Sequence, residues 1–228
     1  MGHVLTSSRF HALALAAFLA GALCLTQVGC RRAAEPGGPA PRVIEAMNRG
    51  VSLMGQYLYD DAAKAFEEAL AAAPHLVEAR LNLAIALFNR NRKEDLDAAE
   101  KLVGSVLEAN PSNTRALYFQ AIVLQHAGKA EEAIPPLERV VQDRPNDGAA
   151  WYLLALCKQR TGRPAEADFL RAVEHRPYLY SAYYQLYQSA LRANQDGKAQ
   201  EYLAMFKTLR ASPLGESIEL PQYNQMGD

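Results

Sequence analysis

The sequence predicts an all-α solenoid of about five antiparallel helix–turn–helix repeats, and three observations lead there. First, prolines close four similar phrases, "FEEALAAAP" (66–74), "VGSVLEANP" (103–111), "LERVVQDRP" (137–145) and "LRAVEHRP" (170–177), which places them 37, 34 and 32 residues apart. Self-similarity at a period near 34 residues marks stacked supersecondary units, none of which can bury its apolar face alone. Second, the residues between these prolines repeat apolar positions at helical spacing. Third, half of the 228 residues are apolar, while the body beyond the leader holds a single cysteine, Cys157. One cysteine cannot staple a domain internally, so packing has to supply the stability.

The chain begins with a leader. Arg9 and His11 precede "ALALAAFLAGALCLTQV" (12–28), which runs into Gly29-Cys30. A short cationic start, an apolar stretch and small residues at its end describe a secretory signal. The apolar run, with Thr26 and Gln27 inside it, falls short of the roughly 20 residues that a spanning helix needs. Its ending, "QVGC", resembles a bacterial lipobox, in which the cysteine is lipidated and becomes the mature N-terminus; Gln27 stands where that pattern usually has Leu. Three readings stay open: a lipoprotein signal over 1–30 ending before Cys30, an ordinary export signal, and an uncleaved anchor. The anchor is kept open by Arg31-Arg32, because charges there resist translocation. The lipoprotein and anchor readings both expect a body outside the cytoplasm, held at a bacterial cell envelope and facing the periplasm. Residues 31–42 include "AAEPGGPAP", too rich in proline and glycine for a helix, and read as a flexible tether.

The body reads as repeats at about 43–76, 77–113, 114–147, 148–179 and 180–211. In the third, Leu117, Ala121 and Leu124 share one helical face, Gly128 punctuates, and Ala133, Leu137 and Val140 share a second face before Arg144-Pro145 stops the chain. Only Pro135-Pro136 conflicts with this pattern. A proline in a helix interior costs about 3 kcal/mol and much less in the first turn, which predicts a late start or a kink there.

The repeating residues resemble the tetratricopeptide repeat over about 43–210. That family has a large apolar residue near position 4, Leu at 7, small residues at 8, 20 and 27, a bulky one at 24 and Pro at 32. The first repeat supplies Gly50, Ala62, Phe66, Ala69 and Pro74, with Arg49 in place of Leu; the second supplies Leu83, Ala84, Ala99, Val103, Val106 and Pro111, lengthened at "NRNRKEDLD". The third supplies Leu117, Ala121, Ala133, Leu137, Val140 and Pro145. The fourth has Trp151, Leu154, Ala155, Ala165, Phe169, Ala172 and Pro177, shortened at "TGRPAEA". The fifth has Tyr183, Leu186, Ala199, Leu203 and Phe206, with "RASP" at its close. The resemblance implies a right-handed superhelical solenoid in which small residues let paired helices approach and bulky ones fill the remaining space.

Composition narrows the function. With 24 Lys+Arg against 25 Asp+Glu there is no basic excess to neutralise phosphates, so nucleic acid is not expected as a partner. His75, His126 and His175 stand at turns, 51 and 49 residues apart, and read as solvated turn residues; Cys157 reads as a small buried apolar residue. No HExxH, CxxC, GxSxG or phosphate-cradling loop occurs, so neither catalysis, metal nor cofactor is expected. What remains is a surface. By the resemblance, first-helix positions 2, 5, 9 and 12 line a concave groove. Position 5 gives Met47, Leu81, Tyr118, Tyr152 and Tyr184, and position 9 gives Val51, Ile85, Ile122, Leu156 and Gln188. Position 12 adds Met54, Phe88, Gln125, Gln159 and Leu191, and position 2 adds Arg115. Family members that hold acidic C-termini use Lys and Asn at positions 5 and 9; both are absent here. A row of Tyr with Met and Ile instead suits an apolar peptide or amphipathic helix of a partner protein.

The expected function is therefore a non-catalytic scaffold or adaptor tethered at the envelope. The alternative expectation is an N-terminal interaction module of a larger protein, prompted by the abrupt ending "QYNQMGD". The tail 212–228 reads as a possible cap over the last helix pair, with Ile218, Leu220 and Tyr223 as anchors.

Overall fold

The computed structural model describes residues 40–218. Cys30 and the leader, most of the tether, and the tail positions Leu220 and Tyr223 lie outside the described residues. Five helix pairs follow one another. The first is α1 (Pro41–Gly55) with α2 (Tyr59–Ala72), the second α3 (Val77–Arg90) with α4 (Lys93–Ala109). Then come α5 (Thr114–His126) with α6 (Ala130–Asp143), α7 (Gly148–Arg160) with α8 (Glu166–His175), and α9 (Tyr180–Arg192) with α10 (Asp196–Arg210). Each helix packs on the next; α1 also reaches α3 and α3 reaches α5, so the odd-numbered helices line one side of the stack. The fold is the all-α solenoid expected from the period.

The sequence pattern becomes packing in a direct way. Ala62, Ala84, Ala99, Ala121, Ala133, Ala155 and Ala172 are all withdrawn from solvent, and Phe66, Leu137 and Phe169 fill the space between the helices they separate. Gly50 shows how tight the fit is: a Cβ there would lie 2.4 Å from the Phe66 ring, so any larger residue would force that buried ring to shift. Cys157 is fully buried, and desolvation pushes its thiol up to about 11, which keeps it protonated and unreactive at neutral pH.

The turns inside the five pairs share a device that the sequence only half reveals. Each contains one residue in the left-handed region: Tyr57 (φ 63°), Asn91 (φ 54°), Gly128 (φ 76°), Gly162 (φ 73°) and Asn194 (φ 54°). Gly and Asn tolerate this conformation, whereas a bulky side chain does not. Tyr57 is exposed and its ring stands edge-on to that of Tyr59 at 6.3 Å. Left-handed backbone costs an ordinary L-residue about 1–2 kcal/mol, so Tyr57→Gly is expected to stabilise the fold by about 1 kcal/mol. The check is a rise in the urea midpoint; an unchanged or lower midpoint would show that the Tyr57–Tyr59 contact outweighs the strain.

Helix α6 removes one of the two alternatives left for Pro135-Pro136. It starts at Ala130 and continues unbroken through both prolines, so its start is not late. The two prolines free the carbonyls four residues earlier, those of Glu131 and Glu132, and both residues are exposed, where water can serve them. Entry into the odd helices is handled unevenly. The Asn113 side chain accepts from the Ala116 N–H (2.9 Å), and that of Asp147 from Ala149 (3.1 Å) and Ala150 (3.0 Å), capping α5 and α7. Helix α9 starts from Leu179, which has no side-chain acceptor to offer.

Charged residues stitch neighbouring repeats along the edge that carries the internal turns. Asp60 of the first repeat meets Arg90 (3.2 Å) and Arg92 (3.0 Å) of the second, Glu131 meets Arg163, and Glu166 meets Lys198 at 3.9 Å. Two carboxylates are buried at the same register, third in α4 and third in α8. Asp95 accepts a two-pronged bond from Arg90, with Nε at 2.6 Å, and Asp168 accepts from Lys158 Nζ at 2.9 Å.

Candidate partner-binding surface

The residues assigned to a groove do not share one fate. Leu81, Ile85, Phe88, Tyr118, Ile122 and Tyr152 are buried, as is Gln125. Met47, Met54, Arg115, Leu156, Gln159 and Gln188 are half-buried, and Val51, Tyr184 and Leu191 are exposed. The physical reason is position in the stack. Helices α3, α5 and α7 have neighbours on both sides, and their apolar residues point into packing on nearly every face. Only the first and last odd helices leave such positions open.

The tyrosines show the contrast. Tyr152 is 4% exposed, packs on Phe169 (ring centroids 5.9 Å apart) and bonds the Ser181 hydroxyl; burial pushes its phenol above the usual tyrosine value. Tyr184 is 40% exposed and packs on Phe206 at 5.2 Å. Tyr152 and Tyr184 thus each rest on a ring from the second helix of their own repeat. Phe88 sits edge-on to Phe119 (5.6 Å) and to His126 (5.1 Å), which gives that histidine a structural contact. Arg115 reaches back to Asn82 Oδ1 of the preceding repeat. The buried Gln125 amide nitrogen finds no hydrogen-bond partner among the described residues.

At the far end of the stack an aromatic patch forms that position-by-position reading missed. Tyr180 meets Phe206 at 6.0 Å, Tyr184 meets Tyr187 at 6.3 Å, and the Arg210 guanidinium lies 5.8 Å from the Phe206 centroid. Leu191 and Met205 are exposed on the same two helices. The signal was present in "YLYSAYYQLYQ" (178–188), with five tyrosines in eleven residues, a density no other stretch of the chain approaches. Two open depressions lie elsewhere. One, of about 560 Å³, is bounded by Pro145, Asn146, Gly148 and Arg176; the other, of about 640 Å³, by Pro41, Ile44 and Arg49. Among the described residues no three of His, Cys, Asp and Glu converge as a metal site would require.

A stack of helix pairs with apolar residues left open at its ends defines a class of protein: a helical-repeat scaffold for protein–protein interaction. The tetratricopeptide repeat family model matches residues 53–123, 92–157 and 124–170, together more than half of the chain, and the chain belongs to that family. Members of this repeat class are generally non-catalytic. No curated protein matches the chain. Among solved structures it is similar to MamA 41-end from Desulfovibrio magneticus RS-1, with 22% identity and a TM-score of 0.66 over 77% of this chain and 99% of that one. It is also similar to a MamA RS-1 ArsTM double mutant (22%, TM-score 0.66, 76% and 97%) and to MamA AMB-1 (23%, 0.57, 78% and 96%). At such identity the likeness is one of fold.

Proposed function

We propose that this chain is a non-catalytic adaptor, tethered at the cell envelope, that takes an apolar peptide or amphipathic helix of a partner protein on its concave side. The observation that carries the reading is the open aromatic patch around Tyr184, Tyr187 and Phe206, with Leu191 and Met205 beside it. Aromatic side chains bring large contact area at low entropic cost, and they dominate interface energetics where they can be desolvated. The partner's contact is centred on α9, with the half-buried Gln188, and α10, and the half-buried Leu156 of α7 extends it towards the middle of the stack.

Photo-crosslinking in intact cells tests the surface. A crosslinker in place of Tyr184 should capture one discrete partner, whereas one in place of Leu170, exposed on α8 and no part of the patch, should not. Equal capture from Leu170 would sink the assignment. The tether rests on Cys30 and the leader's composition. Cys30→Ser is expected to abolish metabolic lipid labelling and to release the protein from membranes; labelling that survives the change rules out lipidation at Cys30. No described helix is long and apolar enough to cross a membrane.

A further inference from the structure

We propose that the turn between α8 and α9, residues 176–181, is a docking edge for an extended peptide that carries a carboxylate two residues ahead of an aliphatic side chain, and that residues 215–218 of the chain itself are the ligand that fills it. This edge adjoins the aromatic patch and uses the Tyr180 backbone rather than its ring, so it does not depend on that assignment.

The geometry is that of a strand added to an open backbone edge. The Glu216 N–H donates to the Tyr178 carbonyl at 2.8 Å, and the Tyr180 N–H donates to the Glu216 carbonyl at 2.9 Å, so the two segments pair in parallel at Leu179. Side chains add the specificity that such pairing lacks. The Glu216 carboxylate meets Arg176, with Nη2 at 2.7 Å and Nε at 3.0 Å. The Ile218 N–H reaches the Ser181 hydroxyl at 3.4 Å, and its side chain packs against the core.

The start of α9 takes its backbone partner from a distant segment. Asn113 and Asp147 cap α5 and α7 with their own side chains, whereas Leu179, like Leu76 before α3, has no acceptor to offer, and the N–H at Tyr180 would be left over without the tail. The Glu216 carbonyl supplies the missing acceptor. Arg176 also borders the depression at Pro145, Asn146 and Gly148, so the edge has open space beside it.

The ligand segment reaches its place through one narrow passage. Gly215 crosses the end of α10 so closely that a Cβ would lie 2.0 Å from the Leu209 carbonyl oxygen. Gly215→Ala therefore lifts the strap away while leaving every group of the docking edge intact. A short tether holds its ligand at an effective concentration of the order of millimolar, which hides the edge from weak competitors.

The experiment uses a fluorescent hexapeptide of residues 215–220, Gly-Glu-Ser-Ile-Glu-Leu, titrated by anisotropy into the full chain in detergent micelles, into its Gly215→Ala variant and into a chain ended at Ala211. Binding to the two altered chains is expected to be at least about tenfold tighter than to the unaltered one, as displacement of a tethered competitor requires. Adding Arg176→Met, which keeps the aliphatic stem, should remove most of that gain. Equal binding to all three chains, no binding to a variant whose circular dichroism is unchanged, or indifference to Arg176→Met would each overturn the proposal. Should the altered chains lose helix, hydrogen exchange on the unaltered protein decides. The Tyr180 and Glu216 amides are expected to exchange in step and at least about tenfold faster than the Leu186 amide within α9. Exchange of all three at one rate would make the strap an inseparable part of the last repeat and refute the inference.

Discussion

Phe119→Ala is expected to cost the solenoid about 4 kcal/mol and to split its unfolding into two steps. Truncating a fully buried phenylalanine typically costs about 3–5 kcal/mol, the lost transfer energy plus the cavity left behind. Phe119 is fully buried in the middle repeat, and its ring stands edge-on to Phe88 of the preceding one. In a stack where each repeat touches only its neighbours, stability is a sum of repeat and interface terms, so damage at one joint does not spread evenly. The joint between the second and third repeats should weaken most and let the N-terminal pairs unfold before the rest. The protein's single tryptophan, Trp151, lies in the fourth repeat, where its indole N–H donates to the Pro145 carbonyl at 2.8 Å. In urea, tryptophan fluorescence and far-UV circular dichroism should coincide for the unaltered protein and separate for Phe119→Ala, with the dichroism midpoint lower. Coincident curves shifted by less than about 1 kcal/mol would contradict both the cavity cost and the one-dimensional coupling.

The outline of the fold was legible because solenoid packing writes the same constraint several times. Gly50, Ala84, Ala121 and Ala155 recur where two helices touch, and the prolines recur where one pair hands over to the next. The path through Pro135 and Pro136 was less legible, since a local propensity weighs the two missing N–H bonds but not the packing of Pro136, Leu137 and Val140 that holds α6 in place. The groove was legible only as a set of register positions. Register says which way a side chain points on its own helix; depth depends on what the neighbouring pair places in front of it. Tyr152 and Tyr184 occupy the same register, yet Ser181 and Phe169 close over one while the end of the stack leaves the other open. The tail illustrates the same divide. Ile218 was recognisable as an anchor from its apolar character, whereas the pairing of Glu216 follows from an absent cap at Leu179 and an arginine 40 residues earlier.

Arg90→Ala is expected to cost about 3 kcal/mol at neutral pH, and the size of that deficit should depend on pH in a defined direction. Removing one partner of a buried ion pair is far more harmful than the pair's net worth, because the other charge is left without compensation, typically at about 3–5 kcal/mol. The lower end applies because the Arg90 side chain keeps 21% of its exposure, against 9% for Asp95. The hydrogen bond from Arg90 is the first reason that Asp95 is held below the usual aspartate value; the Coulomb attraction of Arg90 and Arg92 adds to it, and burial opposes it. A carboxylate with a depressed folded pKa stabilises the fold at pH above its unfolded value and loses that contribution as pH falls through the folded one. In Arg90→Ala the depressing bond is gone while the burial stays, so protonation relieves the variant and penalises the unaltered protein. The two stabilities should therefore begin to converge near about pH 4 and close further as pH falls below it, towards the lowered value of Asp95 in the folded protein. Urea midpoints at neutral pH and near that value measure the convergence. A deficit that stays constant with pH would mean that Arg90 acts through its packing and its reach to Asp60 rather than by holding the Asp95 charge.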